Sequence, residues 1–210
     1  TKAGASKFDG GVDLLDLGHA VFSHAPERQL PPLCEWNLLD GHLDLRRDWR
    51  GLNLALFSAE LVNALLEEHD PHPELFDRLR NALSELGTDA REETFLAFEL
   101  DVLREAGILP ELGVCVSCGR EIAAQAYFSP GRGGAVCVNC EGAYPDRLAI
   151  DPRLLRVASG LLALPRTNGK PLRLPHLTRL QTDPLNRLLV ELVEHTLSKG
   201  MRMSKYVVGK

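Results

Sequence analysis

No apolar run in the chain of 210 residues approaches the roughly 18 residues that a membrane-crossing helix needs, and the opening Thr1-Lys2-Ala3-Gly4 lacks the apolar stretch of a secretory signal. A cytosolic protein is therefore expected. Signatures of catalysis are also missing: there is no Gly-x-Ser-x-Gly elbow, no P-loop, no His-Glu-x-x-His pair and no strand-linked Gly-x-Gly-x-x-Gly. Nothing in these patterns gives a reason to expect an enzyme. Internal repeats and low-complexity tracts are absent too. The chain opens on Thr1 rather than Met, so its start is expected to lie inside a longer gene product or after a processing point.

What is present is the composition of a packed protein, 44% hydrophobic and 25% charged. The net charge of −5 hides a strong asymmetry. Residues 1–52 carry −2, residues 53–113 carry −10, residues 114–142 are neutral and residues 143–210 carry +7. An acidic whole argues against nucleic acid, yet a basic third can still present a local positive field to phosphates.

Short apolar runs at Val12 to Leu17, His19 to Phe22 and Leu33 to Leu39, broken by glycines and prolines, predict strands of a small barrel or part of one. From Leu52 the period lengthens, and Leu52, Leu56, Ala59, Val62 and Leu66 predict one face of a helix. A second helix is predicted from Pro73 to Gly87, and a third from a cap at Asp89 to Gly107, with the acidic excess on their outer faces. Asp151-Pro152 and Asp183-Pro184 each look like a cap followed by a first-turn proline. The second opens the cleanest amphipathic helix, ending at Gly200, before a basic tail without a strong period.

The strongest single signal is Cys115-x-x-Cys118 and Cys137-x-x-Cys140, eighteen residues apart. Four thiolates at this spacing close a tetrahedron around one zinc ion and leave no position for water, so the metal is expected to be structural. Ala126-Tyr127-Phe128 predicts a strand between the knuckles. The fifth cysteine, Cys34, sits in an apolar context that predicts a buried, unreactive thiol. His69 and His72 are expected in an exposed linker, and Asp101 and Glu105 on a solvated helix face. In the basic third, Arg166, Lys170, Arg173 and Arg179 fall around a loop, and Lys199, Arg202 and Lys205 mark the tail beside Tyr206. They suit either phosphates and an unpaired base or simply a solvated surface.

Glu92-Glu93-Thr94-Phe95, Leu103-Arg104-Glu105-Ala106-Gly107, Pro110-Glu111-Leu112, the Cys115-to-Gly119 knuckle, Phe128-Ser129, Gly133-Gly134 and Cys137 together resemble the bacterial recombination mediator family RecO. The resemblance runs in order along the whole chain, from Phe8-Asp9-Gly10-Gly11 to the basic Lys199-to-Lys205 ending, although the first strands of the family's barrel are absent. It implies an α+β architecture with a partial N-terminal OB-fold over 1–50, a helical domain over 51–113 and 143–210, and an inserted four-cysteine zinc module over 114–142. It further implies a non-enzymatic mediator that binds single- and double-stranded DNA, anneals strands, and works with RecR to load RecA on DNA coated by single-strand-binding protein. Phosphate contacts are then expected from Lys2, Lys7, Arg46 and Arg47 in the barrel remnant and from Arg173, Arg179, Lys199, Arg202 and Lys205. Arg104 is a candidate for the tail of single-strand-binding protein, and the expected location is the cytoplasm, on the nucleoid. A zinc-ribbon adaptor that binds only proteins is the competing expectation, and a sirtuin-like zinc enzyme lacks the nucleotide-binding unit it would need.

Overall fold

The computed structural model describes residues 11–23, 31–88, 92–123, 125–164 and 174–208. It begins with an antiparallel pair of strands, β1 (Leu17–Phe22) and β2 (Leu33–Asp40). Gly18 lies where the Trp36 ring crosses the pair: an added Cβ would sit 2.5 Å from that ring and 2.7 Å from the Asn37 carbonyl, so a side chain there would force the strands apart. The run from Val12 to Leu17 does not become the expected strand. The Asp16 carboxylate accepts the Asp13 N–H at 2.8 Å, and Leu15 has a φ of 68°. An aspartate-centred turn thus takes hydrogen bonds that a strand ladder would have used. Among the described residues this sheet has two strands and no closed barrel, so the OB-fold expectation reduces to a β hairpin ahead of a helical body.

The helical body starts at a 3-10 turn (Leu43–Arg47) leading into α1 (Trp49–Leu65). Asp48 caps α1, its carboxylate accepting from the Arg50 and Gly51 N–H groups at 3.1 and 2.8 Å. The expected stripe Leu52, Leu56, Ala59, Val62 and Leu66 is only half-buried; the deepest face carries Leu54, Phe57, Ser58 and Leu61. The reason is that α1 is covered on two sides. One side meets the hairpin junction and α2 (Pro73–Thr88), and the other meets the central helix α3 (Glu92–Glu105).

Helix α3 is the axis of the body, buried from Glu92 through Leu103 and packed against α1, α2, α4 (Pro152–Ala163) and α5 (Arg179–Leu197). Phe95 meets Phe57 with ring centroids 5.9 Å apart, and each such side chain contributes roughly 1.5–3 kcal/mol on burial. Its expected cap, Asp89, lies outside the described residues. Four of the five acidic residues of α3 are not on an outer face: Glu92, Glu93, Glu99 and Asp101 are buried, and only Glu105 is exposed. Three of the four buried acids have partners. Arg50 forks onto Glu92 at 2.7 and 2.8 Å, the Leu177 N–H donates to Glu93 at 3.2 Å, and Arg104 and Arg78 lie 3.6 and 3.8 Å from Asp101. Glu99 has no hydrogen-bond partner among the described residues. Burial pushes its carboxyl well above the ordinary range.

Helix α4 opens as expected on Asp151, which accepts the Arg153 N–H at 2.8 Å. Helix α5 starts at Arg179, ahead of the Asp183-Pro184 signal. Thr178 and Gln181 form a capping box, with the Gln181 side chain accepting the Thr178 N–H at 3.0 Å. Pro184 therefore lies inside the helix, still within its N-terminal half, where the lost N–H bond is offset by the box and by burial of the helix's apolar face. The tail is structured as well. Met201 and Val207 are buried, and the short helix α6 (Ser204–Val207) packs on α1.

Candidate metal centre and nucleic-acid surface

The cysteine segment folds around a three-stranded antiparallel sheet, ordered β4 (Gly134–Cys137), β3 (Ala126–Ser129), β5 (Leu148–Ile150). Strand β3 falls where Ala126-Tyr127-Phe128 predicts it, and its register places Ala126 opposite Cys137. The first knuckle docks on this sheet through Val116 N–H to the Ala135 carbonyl at 2.9 Å. Gly134 makes that approach possible, since a Cβ there would lie 2.5 Å from a Val116 methyl and 2.8 Å from the Glu111 carbonyl. Each knuckle closes on its own backbone: Gly119 N–H donates to the Cys115 carbonyl at 2.8 Å, and Cys140 N–H to the Cys137 carbonyl at 3.0 Å.

The result is four sulfur atoms all within 4.8 Å of one another, with Cys118 and Cys137 Sγ 3.8 Å apart. A tetrahedron with metal–sulfur bonds near 2.3 Å has edges of about 3.8 Å, so the cluster has the dimensions to hold a metal ion. Its protonation chemistry points the same way. Burial pushes the Cys115 thiol up, but the backbone N–H groups of Cys137, Cys118 and Ser117 outweigh it and bring the thiol down to about 6. The Ser117 hydroxyl pulls Cys140 down, yet the sulfurs of Cys137 and Cys118 raise it to about 11. Four crowded thiols cannot all ionise unless a cation lies among them.

A separate contact joins this module to the helical body. The buried Ser129 hydroxyl donates to the Asp146 carboxylate at 2.9 Å, and the Gly131 N–H donates to it at 2.8 Å. His195 of α5 comes so close to Gly131 that an added Cβ would lie 3.3 Å from its Nε2. Burial raises the Asp146 carboxyl, but the Gly131 and Ser129 donors and the nearby His195 hold it below its ordinary value.

Of the expected phosphate contacts, Lys2, Lys7 and Arg173 lie outside the described residues, as do Arg166 and Lys170. Arg46 pairs with Asp13 at 2.8 Å, Arg47 with Asp44 at 2.8 Å, and Arg179 with Asp183 at 3.2 Å. Lys199, Arg202 and Lys205 are exposed. The structure joins two of these groups that are far apart in sequence. Arg47 precedes Trp49 by two residues, and the Trp49 ring meets the ring of Tyr206, the neighbour of Lys205, at 6.1 Å between centroids. The tail is held in this position by acids. Glu60 accepts the Arg202 and Met203 N–H groups at 2.7 and 2.9 Å, and Glu194 accepts the Met201 N–H at 2.8 Å. Periodicity could not reveal this docking, because the tail pairs through backbone groups rather than through an apolar stripe.

Other residues singled out in the sequence depart from expectation. Cys34 is exposed rather than buried, because among the described residues no layer packs over its side of the hairpin. Asp101 is buried, while Glu105 reaches His72 at 2.9 Å, so His72 joins α3 to the linker instead of standing free. Arg104 donates to the Leu162 carbonyl at 3.0 Å, tying α3 to the end of α4.

Comparison with known proteins sets this geometry beside a family. The family model described as "Recombination protein O C terminal" matches residues 46–205. A protein named DNA repair protein RecO in Anaeromyxobacter dehalogenans (strain 2CP-C) is 32% identical over 212 residues, covering 98% of this chain and 81% of that protein. The protein of the same name in Roseiflexus sp. (strain RS-1) is 32% identical over 94% of this chain and 69% of its own length. That of Myxococcus xanthus (strain DK1622) is 35% identical over 65% of this chain and 55% of its own.

Proposed function

The chain belongs to the RecO family, and from that premise we propose that it is a DNA repair and homologous recombination mediator. In this reading it binds single- and double-stranded DNA through phosphates, anneals complementary strands, and acts with RecR in loading RecA onto strands coated by single-strand-binding protein. No residue is assigned to catalysis. It acts in the cytoplasm, on the nucleoid. The observation that carries the reading is the family match over residues 46–205, which spans both the cysteine segment and the basic tail. The exposed Lys199, Arg202 and Lys205 supply the positive charge, and Arg46, Arg47 and Arg179 sit in surface ion pairs weak enough for a phosphate to compete with. One zinc ion held by Cys115, Cys118, Cys137 and Cys140 keeps the sheet module folded and takes no part in DNA chemistry.

Fluorescence anisotropy with a labelled single-stranded oligonucleotide at two salt concentrations tests this. Binding should weaken steeply with salt, and reversing the charges of Lys199, Arg202 and Lys205 should flatten the logarithmic salt slope by up to about 2 if all three meet phosphates. Absence of binding at low salt would point instead to an adaptor that meets only proteins.

A further inference from the structure

Trp49, Tyr206 and Lys205 build an exposed aromatic step that phosphate binding leaves unused. The Trp49 residue is 72% exposed in the first turn of α1, and Tyr206 is 42% exposed on the tail. Their rings are perpendicular, at 90°, with the Lys205 ammonium 4.9 Å from the Tyr206 centroid. Neither ring fills a core. The position of Tyr206 is set by its backbone instead: Arg50, clamped by Glu92, donates to the Tyr206 and Val207 carbonyls at 2.9 Å each. The step is therefore preformed, so a flat ligand meets a ring already in place.

The cation that touches the step is Lys205, exposed and next to the Tyr206 ring. Arg202 is exposed four residues before Tyr206, and Arg47 precedes Trp49 with its side chain 80% exposed, paired to Asp44 at 2.8 Å. Two further acids, Asp48 as the cap of α1 and Glu60 beneath Arg202 and Met203, accept backbone N–H groups and keep their charge, so Lys205 is the group placed to meet a phosphate next to a stacked base.

We propose that this step is a stacking site for an unpaired nucleobase of single-stranded nucleic acid. One base lies on the Trp49 ring against the perpendicular Tyr206 ring, and the adjoining phosphates pass Lys205 and Arg202. The inference rests on the DNA-binding reading above and adds to it a contact with bases. Because the bases of a duplex are stacked on each other, the site selects single strands over duplexes.

The test compares the whole chain on an oligothymidylate, an abasic oligomer of equal length with the same phosphates, and a duplex. The wild-type protein should hold oligothymidylate more tightly than the abasic strand and show quenched tryptophan emission. Trp49→Ala should lose roughly tenfold on oligothymidylate, with abasic and duplex affinities unchanged, and Trp49→Phe should keep part of the difference. If wild type binds both single strands equally, or if Trp49→Ala leaves oligothymidylate binding intact, stacking is overturned and the aromatic step belongs to a protein partner, while phosphate binding stands. If none of the three ligands binds, the DNA reading itself falls. A circular-dichroism melt of each variant separates lost contact from lost fold.

Discussion

Arg50→Ala should destabilise the protein by about 3 kcal/mol and release its tail. Arg50 donates to both Glu92 oxygens at 2.7 and 2.8 Å and to the Tyr206 and Val207 carbonyls at 2.9 Å, with its side chain only 19% exposed and that of Glu92 only 8%. Removing one partner of a buried ion pair costs roughly 3–5 kcal/mol, because the other charge is left desolvated. The lower end applies because Arg179 remains 3.9 Å from Glu92 and the tail carbonyls can turn to water. Urea denaturation followed by far-ultraviolet circular dichroism measures the loss; with a slope of about 2 kcal/mol per molar, the midpoint should fall by about 1.5 M. Arg50→Lys keeps the charge but not the fork, and should fall between the two. Limited proteolysis should cut residues 198–208 faster in Arg50→Ala than in wild type. A midpoint shift under about 0.5 M, or strict additivity with Glu92→Gln, would refute the claim that this pair fastens the tail.

Glu99→Gln should stabilise the protein increasingly with pH. The folded-state carboxyl is raised by burial, so the stability of wild type is complete below the ordinary value of 4.5 and falls as pH climbs toward the folded value, a loss that glutamine escapes. Urea midpoints at pH 5 and pH 9 check this, and an equal effect at both pH values would refute it. Asp146→Asn acts in the opposite sense: wild-type stability from this carboxylate is present above 3.8 and lost as pH falls through its lowered folded value, so the variant should lose about 1 kcal/mol at pH 7 and converge with wild type in acid. Elemental analysis should find one zinc per chain, and Cys118→Ser or a strong chelator should melt the module before the helical body; a protein purified without any bound metal would contradict this.

The local rules reached several elements intact. The two Cys-x-x-Cys knuckles, β3 between them, the Pro73 start of α2 and the Asp151 cap of α4 depend on neighbours a few residues away, and each stands where the sequence places it. Where two local signals competed, the sequence alone chose wrongly. Asp183-Pro184 was outweighed by the Thr178–Gln181 box, and the run ending at Leu17 was outweighed by the Asp13–Asp16 turn.

What only the tertiary structure decided is which surfaces are covered. Glu92, Glu93, Glu99 and Asp101 of α3 read as solvated by composition, yet helices on four sides bury them, with Arg50 and Arg78 brought from other helices as counter-charges and Arg104 added from α3 itself. The same holds for the tail, aperiodic in sequence but fixed by Glu60, Glu194 and Arg50, which sets Tyr206 against Trp49 from 157 positions away. Spacing in a sequence encodes geometry over a turn or a hairpin, where the backbone links cause to effect. Burial and the pairing of charges depend on contacts between distant segments, and these exist only once the chain has folded.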